Sequence, residues 1–275
     1  MCFPNNSTTA SVLPENEAAA AIWNAGGREY DRISRQIADA IEHCVDRLAP
    51  QPMERILDLA TGTGWAARRI ADRGASVTGI DLSSEAIETA RSLDLSGKTD
   101  FHVGDAEALS FPDQDFDAII STFGVMFCGN PSQAASEMAR VCKPGGRMAL
   151  AIWDNHGGVF DMFELISSYK PKSSPAASSP FAWADVDRLE QLFGNNFDLK
   201  VERATSFYRE STADEAWEAF VTGYGPVKML ASKLSDDRSD RLREDFIDFH
   251  RRFETPAGIL VPRPYLIVTG ARVAS

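Results

Sequence analysis

The chain has 275 residues, 44% of them hydrophobic, which is enough to bury a full core as one large α/β domain or as one domain carrying a small cap. Asp and Glu number 40 against 28 Lys and Arg, a formal charge of -12, and that balance argues against partners such as nucleic-acid backbones or anionic membrane surfaces. Four cysteines, Cys2, Cys44, Cys128 and Cys142, stand far apart with no CxxC, a pattern of neither a disulfide framework nor a zinc site, and a reducing cytoplasm is the expected location.

Met1 to Pro14 is rich in Ser, Thr and Asn and lacks the basic start and apolar run of a signal peptide, so residues 1–17 read as a disordered tail. No stretch of the chain approaches about 18 consecutive apolar residues. Residues 18–53 read as an N-terminal helical lid, with helical spacing from Ala18 to Leu48 in two pieces broken at Gly26 and Gly27. From Arg55 short apolar strands alternate with helices. The strands are expected at 56–59, 76–80, 100–103, 117–121 and 147–152, and the helices at 65–73, 84–93 and 131–143. Asn130 caps the last helix, with Pro131 behind it and Pro144 beyond its end.

After Trp153 a Ser- and Pro-rich loop is expected at 170–180, then a helix near 184–193 and a strand near 199–206. Residues 207–262 read as a helical cap inserted before a last strand at 265–271. The expected architecture is an α/β doubly wound, mostly parallel seven-stranded sheet built from 54–206 and 263–275, with the lid and the cap added.

The strongest chemical signal is Leu57-Asp58-Leu59-Ala60-Thr61-Gly62-Thr63-Gly64, an apolar strand entering a glycine-rich turn before a helix, where the backbone passes close to a ligand. Gly62, Gly64 and Ala67, with Asp81 about twenty residues on, also satisfy the dinucleotide fingerprint, so the turn alone leaves an NAD-dependent oxidoreductase open. Charge leans the other way. Asp58, Asp81 and Asp105 close the first three strands and face one crevice, repelling a pyrophosphate and attracting a cofactor that bears an ammonium and a sulfonium. Carboxylates on successive strands, about 4.8 Å apart, spread too widely to grip one metal ion, so no metal is expected.

These blocks resemble the small-molecule branch of the class I S-adenosylmethionine-dependent methyltransferases, a Rossmann-like fold family that includes the ubiquinone and menaquinone C-methyltransferases. The resemblance spans residues 54–153 and rests on Asp58 to Gly64, Gly79-Ile80-Asp81-Leu82-Ser83, Gly104-Asp105-Ala106-Glu107-Ala108-Leu109, Thr122-Phe123-Gly124 and Arg140 to Arg147. It implies that S-adenosyl-L-methionine is the cofactor and S-adenosyl-L-homocysteine the product. It further implies that Asp58, Ala60, Gly62, Thr63 and Gly64 hold the methionine end and that Asp81, beside Leu82, accepts from the ribose diol. Asp105 and Ala106 would hold the adenine, Thr122 would contact the cofactor, and Tyr30 would close over it. Ala60 departs from the glycine of many relatives.

The acceptor must be met by segments outside that resemblance. Trp153, Phe160, Phe163, Trp183, Tyr208, Trp217, Phe220 and Tyr224 supply aromatic surface suited to an apolar or flat small molecule. Phe123 to Phe127 lacks the Asn-Pro-Pro-Tyr sequence of enzymes that methylate amide or base nitrogens, which argues against nucleic-acid and protein-glutamine substrates. An acceptor that must lose a proton needs a base, and His156 beside Asp154 is the first candidate, with His250 in the cap the second. His102 is expected to be packed within a strand and His43 lies on the first helix. Asp117 is expected to close a turn. A chain that binds S-adenosylmethionine without spending its methyl group is the remaining alternative.

Overall fold

The computed structural model describes residues 12–171 and 179–273. Five parallel strands are β1 (Arg55–Leu59), β2 (Ser76–Asp81), β3 (Thr99–Val103), β4 (Phe116–Thr122) and β5 (Cys142–Trp153). The chain then adds β6 (Phe197–Glu210), the two-residue β7 (Glu254–Thr255) and β8 (Gly258–Arg272). The sheet order is β3-β2-β1-β4-β5-β8-β6, with β8 antiparallel to β5, β6 and β7. The path through the sheet has the seven strands expected, and β7 makes the total eight. At two residues, β7 is too short to leave an alternating pattern in the sequence.

Parallel strands buried on both faces read as unbroken apolar runs, and Ile56, Leu57, Leu59, Ile119 and Ile120 are accordingly inaccessible to solvent. The strand order reverses between β1 and β4, which opens a crevice at the carboxyl ends of these two strands. Side-chain caps set the starts of the crossover helices. Ser83 Oγ accepts from Ala86 N at 3.1 Å for α5 (Ser84–Leu93), and Asn130 Oδ1 accepts from Gln133 N at 3.1 Å for α6 (Pro131–Val141). The helix after the glycine turn, α4 (Trp65–Asp72), starts from Gly64 in the left-handed region.

The lid comprises α1 (Glu17–Asn24), α2 (Tyr30–Arg35) and α3 (Ala38–Leu48). The cap is built from α9 (Ala213–Gly223), α10 (Gly225–Ala231) and α11 (Asp236–Arg251), and encloses a second core with Phe246 and Leu242 at its centre. Between them run α7 (Gly158–Ser168) and α8 (Val186–Phe193). Helix α7 is not among the expected helices; it buries Val159, Met162 and Ile166.

Other expectations need correction. Residues 13–16, assigned to the tail, are ordered, because Leu13 N and Asn16 Nδ2 both donate to Asp105 Oδ2, at 3.1 and 2.9 Å. The first 11 residues, and 172–178 of the Ser- and Pro-rich loop, lie outside the described residues. Asp117 closes no turn: within β4 it accepts from Arg55 N at 2.9 Å and pairs with Lys143 Nζ at 2.5 Å, tying the starts of three strands together. His102 is exposed, because β3 is an edge strand, and it pairs with Asp100 at 2.9 Å. Among the described residues no helix is long and apolar enough to cross a membrane.

Candidate active site

The turn after β1 is held open by backbone geometry. Ala60, Gly62 and Gly64 have φ values of +52°, +55° and +80°. A left-handed alanine is strained by roughly 1 kcal/mol relative to glycine, which gives the departure at Ala60 a physical cost without moving the turn. Asp58 lies beneath the turn, where its Oδ2 accepts from Thr61 Oγ1 at 2.6 Å and from Ala67 N at 3.1 Å. Its Oδ1 is buried with no partner among the described residues, and burial pushes the carboxyl up to about 7.

That displacement sets a stability expectation. An unfolded aspartate releases its proton near pH 4, whereas folded Asp58 keeps it to about 7, so unliganded protein loses stability as pH rises through that window. Removing the titration with Asp58→Asn therefore favours the variant more at pH 8 than at pH 5, by about 3 kcal/mol for the roughly two pH units of the window that lie above pH 5. Denaturant melts of both proteins at the two pH values measure this difference, and a pH-independent difference contradicts it. The comparison with wild type cancels the opposing contribution of His250, which burial pushes down to about 4.

Asp81, at the end of β2, accepts from Gly62 N through Oδ2 and from Ser83 N through Oδ1, each at 2.8 Å. The two amides fix its plane, and burial raises its carboxyl above the usual range. Asp105 is held by Leu13 N, Asn16 Nδ2 and Glu107 N, the last at 2.9 Å, so it also fastens the start of the lid. The lid is tied down again where Asn24 Oδ1 accepts from Ser83 Oγ at 2.8 Å, and where Asp31 Oδ1 accepts from Thr63 Oγ1 at 2.7 Å and Trp65 Nε1 at 2.8 Å.

Beneath the lid lie two cavities. The first, about 790 Å³ including its mouth, sits at the carboxyl ends of β1 to β4. Of the residues expected around a cofactor, Tyr30, Ala60, Gly62, Asp81, Leu82, Asp105, Ala106 and Thr122 line it. Asp58, Thr63 and Gly64 stand behind it and brace the turn. The sequence reading missed Asn16, Trp23, Glu107 and Cys128, which also line it. They lie in the lid and in loops, where no periodic signal marks them.

The second cavity, about 670 Å³, lies under the cap. Trp153, Phe163, Tyr208, Phe220 and Tyr224 line it, while Phe160, Trp183 and Trp217 pack into the cores. Phe123 has φ +58°, an outlier for a bulky residue, and this strained turn after β4 stacks its ring on Trp153 at 3.8 Å. His250 lines this cavity too. Its Nδ1 lies 2.8 Å from Phe246 O, and a carbonyl only accepts, so Nδ1 carries the proton and the Nε2 lone pair is left free. His156 is not brought to either cavity: it is two-thirds exposed and pairs with Asp154 at 3.3 Å.

A family model described as "Methyltransferase domain" matches residues 57–150. A demethylmenaquinone methyltransferase of Renibacterium salmoninarum is 34% identical over 165 residues, covering 54% of this chain and 67% of that protein. The chain belongs to the class I S-adenosylmethionine-dependent methyltransferases. An uncharacterized protein of Mycobacterium tuberculosis is 32% identical over 187 residues, 66% of this chain and 68% of its own. The crystal structure of the YcgJ protein of Bacillus subtilis, 18% identical, shares the fold with a TM-score of 0.60 over 86% of this chain and 99% of that one.

S-adenosylmethionine is the cofactor of this methyltransferase. The first cavity fits it on chemical grounds. The half-buried Asp81 and the buried Asp105 line the cavity and, with the orphaned Oδ1 of Asp58 behind the turn, suit a cationic ligand with hydroxyl and amine donors. At Gly62 an added Cβ would meet only the Tyr30 ring, at 3.5 Å, so the turn presents bare backbone to the cavity.

Proposed function

We propose that this methyltransferase transfers the methyl group in line to a small, apolar or aromatic acceptor held in the second cavity. The observation that carries the reading is that the two cavities share a wall made of Trp23, Tyr30, Phe123 and Phe127. The bound cofactor supplies an electrophilic methyl carbon on a sulfonium whose sulfur leaves as a neutral thioether. In this reading Asp81 accepts hydrogen bonds from the ribose diol, Asp105 and Ala106 border the adenine, and Asp58 with the Ala60–Gly64 turn attracts the ammonium of the methionine end. Tyr30 and Thr122 flank the cofactor, and Tyr30 also faces the acceptor. The protein's contribution is alignment and exclusion of water, both of which the enclosed aromatic walls supply.

The acceptor's attacking atom provides the electron pair, and any proton it carries must leave. His250, neutral with its Nε2 free, is the group in the cavity placed to take a hydrogen bond from such a proton. His250→Phe is expected to lower kcat by about 100-fold for an acceptor that must be deprotonated, with the cofactor's affinity unchanged. Steady-state assays and calorimetric titration of the same variant give the two numbers, and an unchanged kcat removes His250 from this role.

The acid-rich surface and the aromatic cavity favour a soluble small-molecule acceptor over nucleic acid or a membrane lipid, and they suit a cytoplasmic enzyme. Incubation with methyl-labelled S-adenosylmethionine and a panel of planar apolar hydroxy, amino and carbon acids is expected to yield S-adenosylhomocysteine only when an acceptor is present. Tight cofactor binding without turnover across the panel would overturn transfer in favour of a binding function.

A further inference from the structure

Arg263 is the one cation bordering the aromatic cavity among the described residues, and it is 7% exposed. It lies on β8, with its guanidinium over the rings of Trp153 at 5.5 Å and Tyr208 at 5.7 Å. Nη2 donates to Gln36 O and, at 3.1 Å, to Ser206 Oγ. Nε is buried and finds no acceptor among the described residues. No carboxylate among them forms an ion pair with it. Asp39 reaches it only through Ser206, whose Oγ donates to Asp39 Oδ1 at 2.8 Å, and Glu210 beside Tyr208 is paired with Arg32 at 2.8 Å.

A buried guanidinium with an unmet donor and no carboxylate in direct contact is costly to the folded chain. Burial pushes it down to about 10, which still leaves it charged at neutral pH. In an otherwise apolar chamber such a group is compensated when a ligand brings an anionic oxygen to it. The neutral His250 adds no competing charge. Arg263 lines the aromatic cavity and not the cofactor cavity, so an oxygen held there orients the acceptor from outside the cofactor's own site.

We propose that the acceptor is a planar apolar molecule bearing an anionic oxygen, a carboxylate, phenolate or enolate, and that Arg263 is the residue that selects it. This rests on the reading of the second cavity as the acceptor site. The flat body lies among Trp153, Phe163 and Phe220, and the oxygen accepts from the guanidinium.

The test compares 2-naphthoate with its neutral counterpart 2-naphthamide. Binding to the full-length protein saturated with S-adenosylhomocysteine is read by quenching of tryptophan fluorescence, since Trp23 and Trp153 both line the cavity. Wild type is expected to bind naphthoate at least about tenfold more tightly than naphthamide, the scale of one charge-assisted hydrogen bond. Arg263→Met is expected to abolish the preference while retaining naphthamide binding, and Arg263→Lys to keep part of it. Equal affinity of wild type for the two probes overturns the selection by Arg263 and leaves the apolar acceptor cavity standing. Failure of wild type to bind either probe overturns the cavity reading itself and this inference with it. The wild-type comparison needs no variant to fold, and the calorimetric affinity for S-adenosylhomocysteine reports whether each variant does.

Discussion

Asp81→Ala is expected to weaken S-adenosylmethionine and S-adenosylhomocysteine alike by about 100-fold to 1000-fold. In the proposed site the carboxylate accepts from two ribose hydroxyls, and hydrogen bonds to a charged group contribute about 1.5–3 kcal/mol each. The residue also fixes Gly62 N and Ser83 N, so its loss frees the turn and the start of α5. Asp81→Asn is expected to be nearly as damaging. One carboxylate oxygen becomes an NH2 group that faces the Gly62 or the Ser83 amide, donor against donor. Calorimetric titration with both ligands is the measurement, and a loss below about tenfold would remove Asp81 from the ribose.

The second large effect is expected where the lid meets the cap. A Cβ at Gly225 would overlap Ile22 O, one at Gly223 would come 2.5 Å from Glu29 O, and one at Gly26 would come 2.5 Å from Gly223 O. The two segments therefore touch backbone to backbone, a distance only glycine permits. Gly225→Ala is expected to push the lid off the cap, at about 1–3 kcal/mol for overpacking, and to move Trp23 and Tyr30 out of the wall between the cavities. The expected readout is faster proteolysis within residues 12–37 together with at least about tenfold weaker cofactor binding, while the sheet still unfolds cooperatively. Unchanged proteolysis and affinity would show that the junction tolerates a methyl group.

Much of this fold was legible because its signals are local. The strand from Arg55, the turn at Gly62 and Gly64, and the caps Ser83 and Asn130 each lie within a few residues of what they control. Ala60 was visible as an anomaly, and its φ of +52° explains why glycine is the easier residue there. The aromatic cavity was legible only as a supply of rings. Its walls come from α1, α2, the turn after β4, the end of β5, α7, β6, α9, α11 and β8, which are far apart in sequence, and no short-range pattern announces that they converge. His250 was legible as the second candidate base, behind His156, which follows a strand end; that His250 and not His156 borders the cavity is a tertiary fact. Gly26 read as a helix breaker, while its close approach to Gly223 is a tertiary fact.

The central claim is that the methyl group crosses the wall between the two cavities. A crystal structure of the protein with S-adenosylhomocysteine tests it most directly. The account predicts the ribose on Asp81 and the sulfur facing the wall formed by Trp23, Tyr30, Phe123 and Phe127, with the aromatic cavity beyond it. A sulfur directed to solvent or toward another face of the sheet would contradict it.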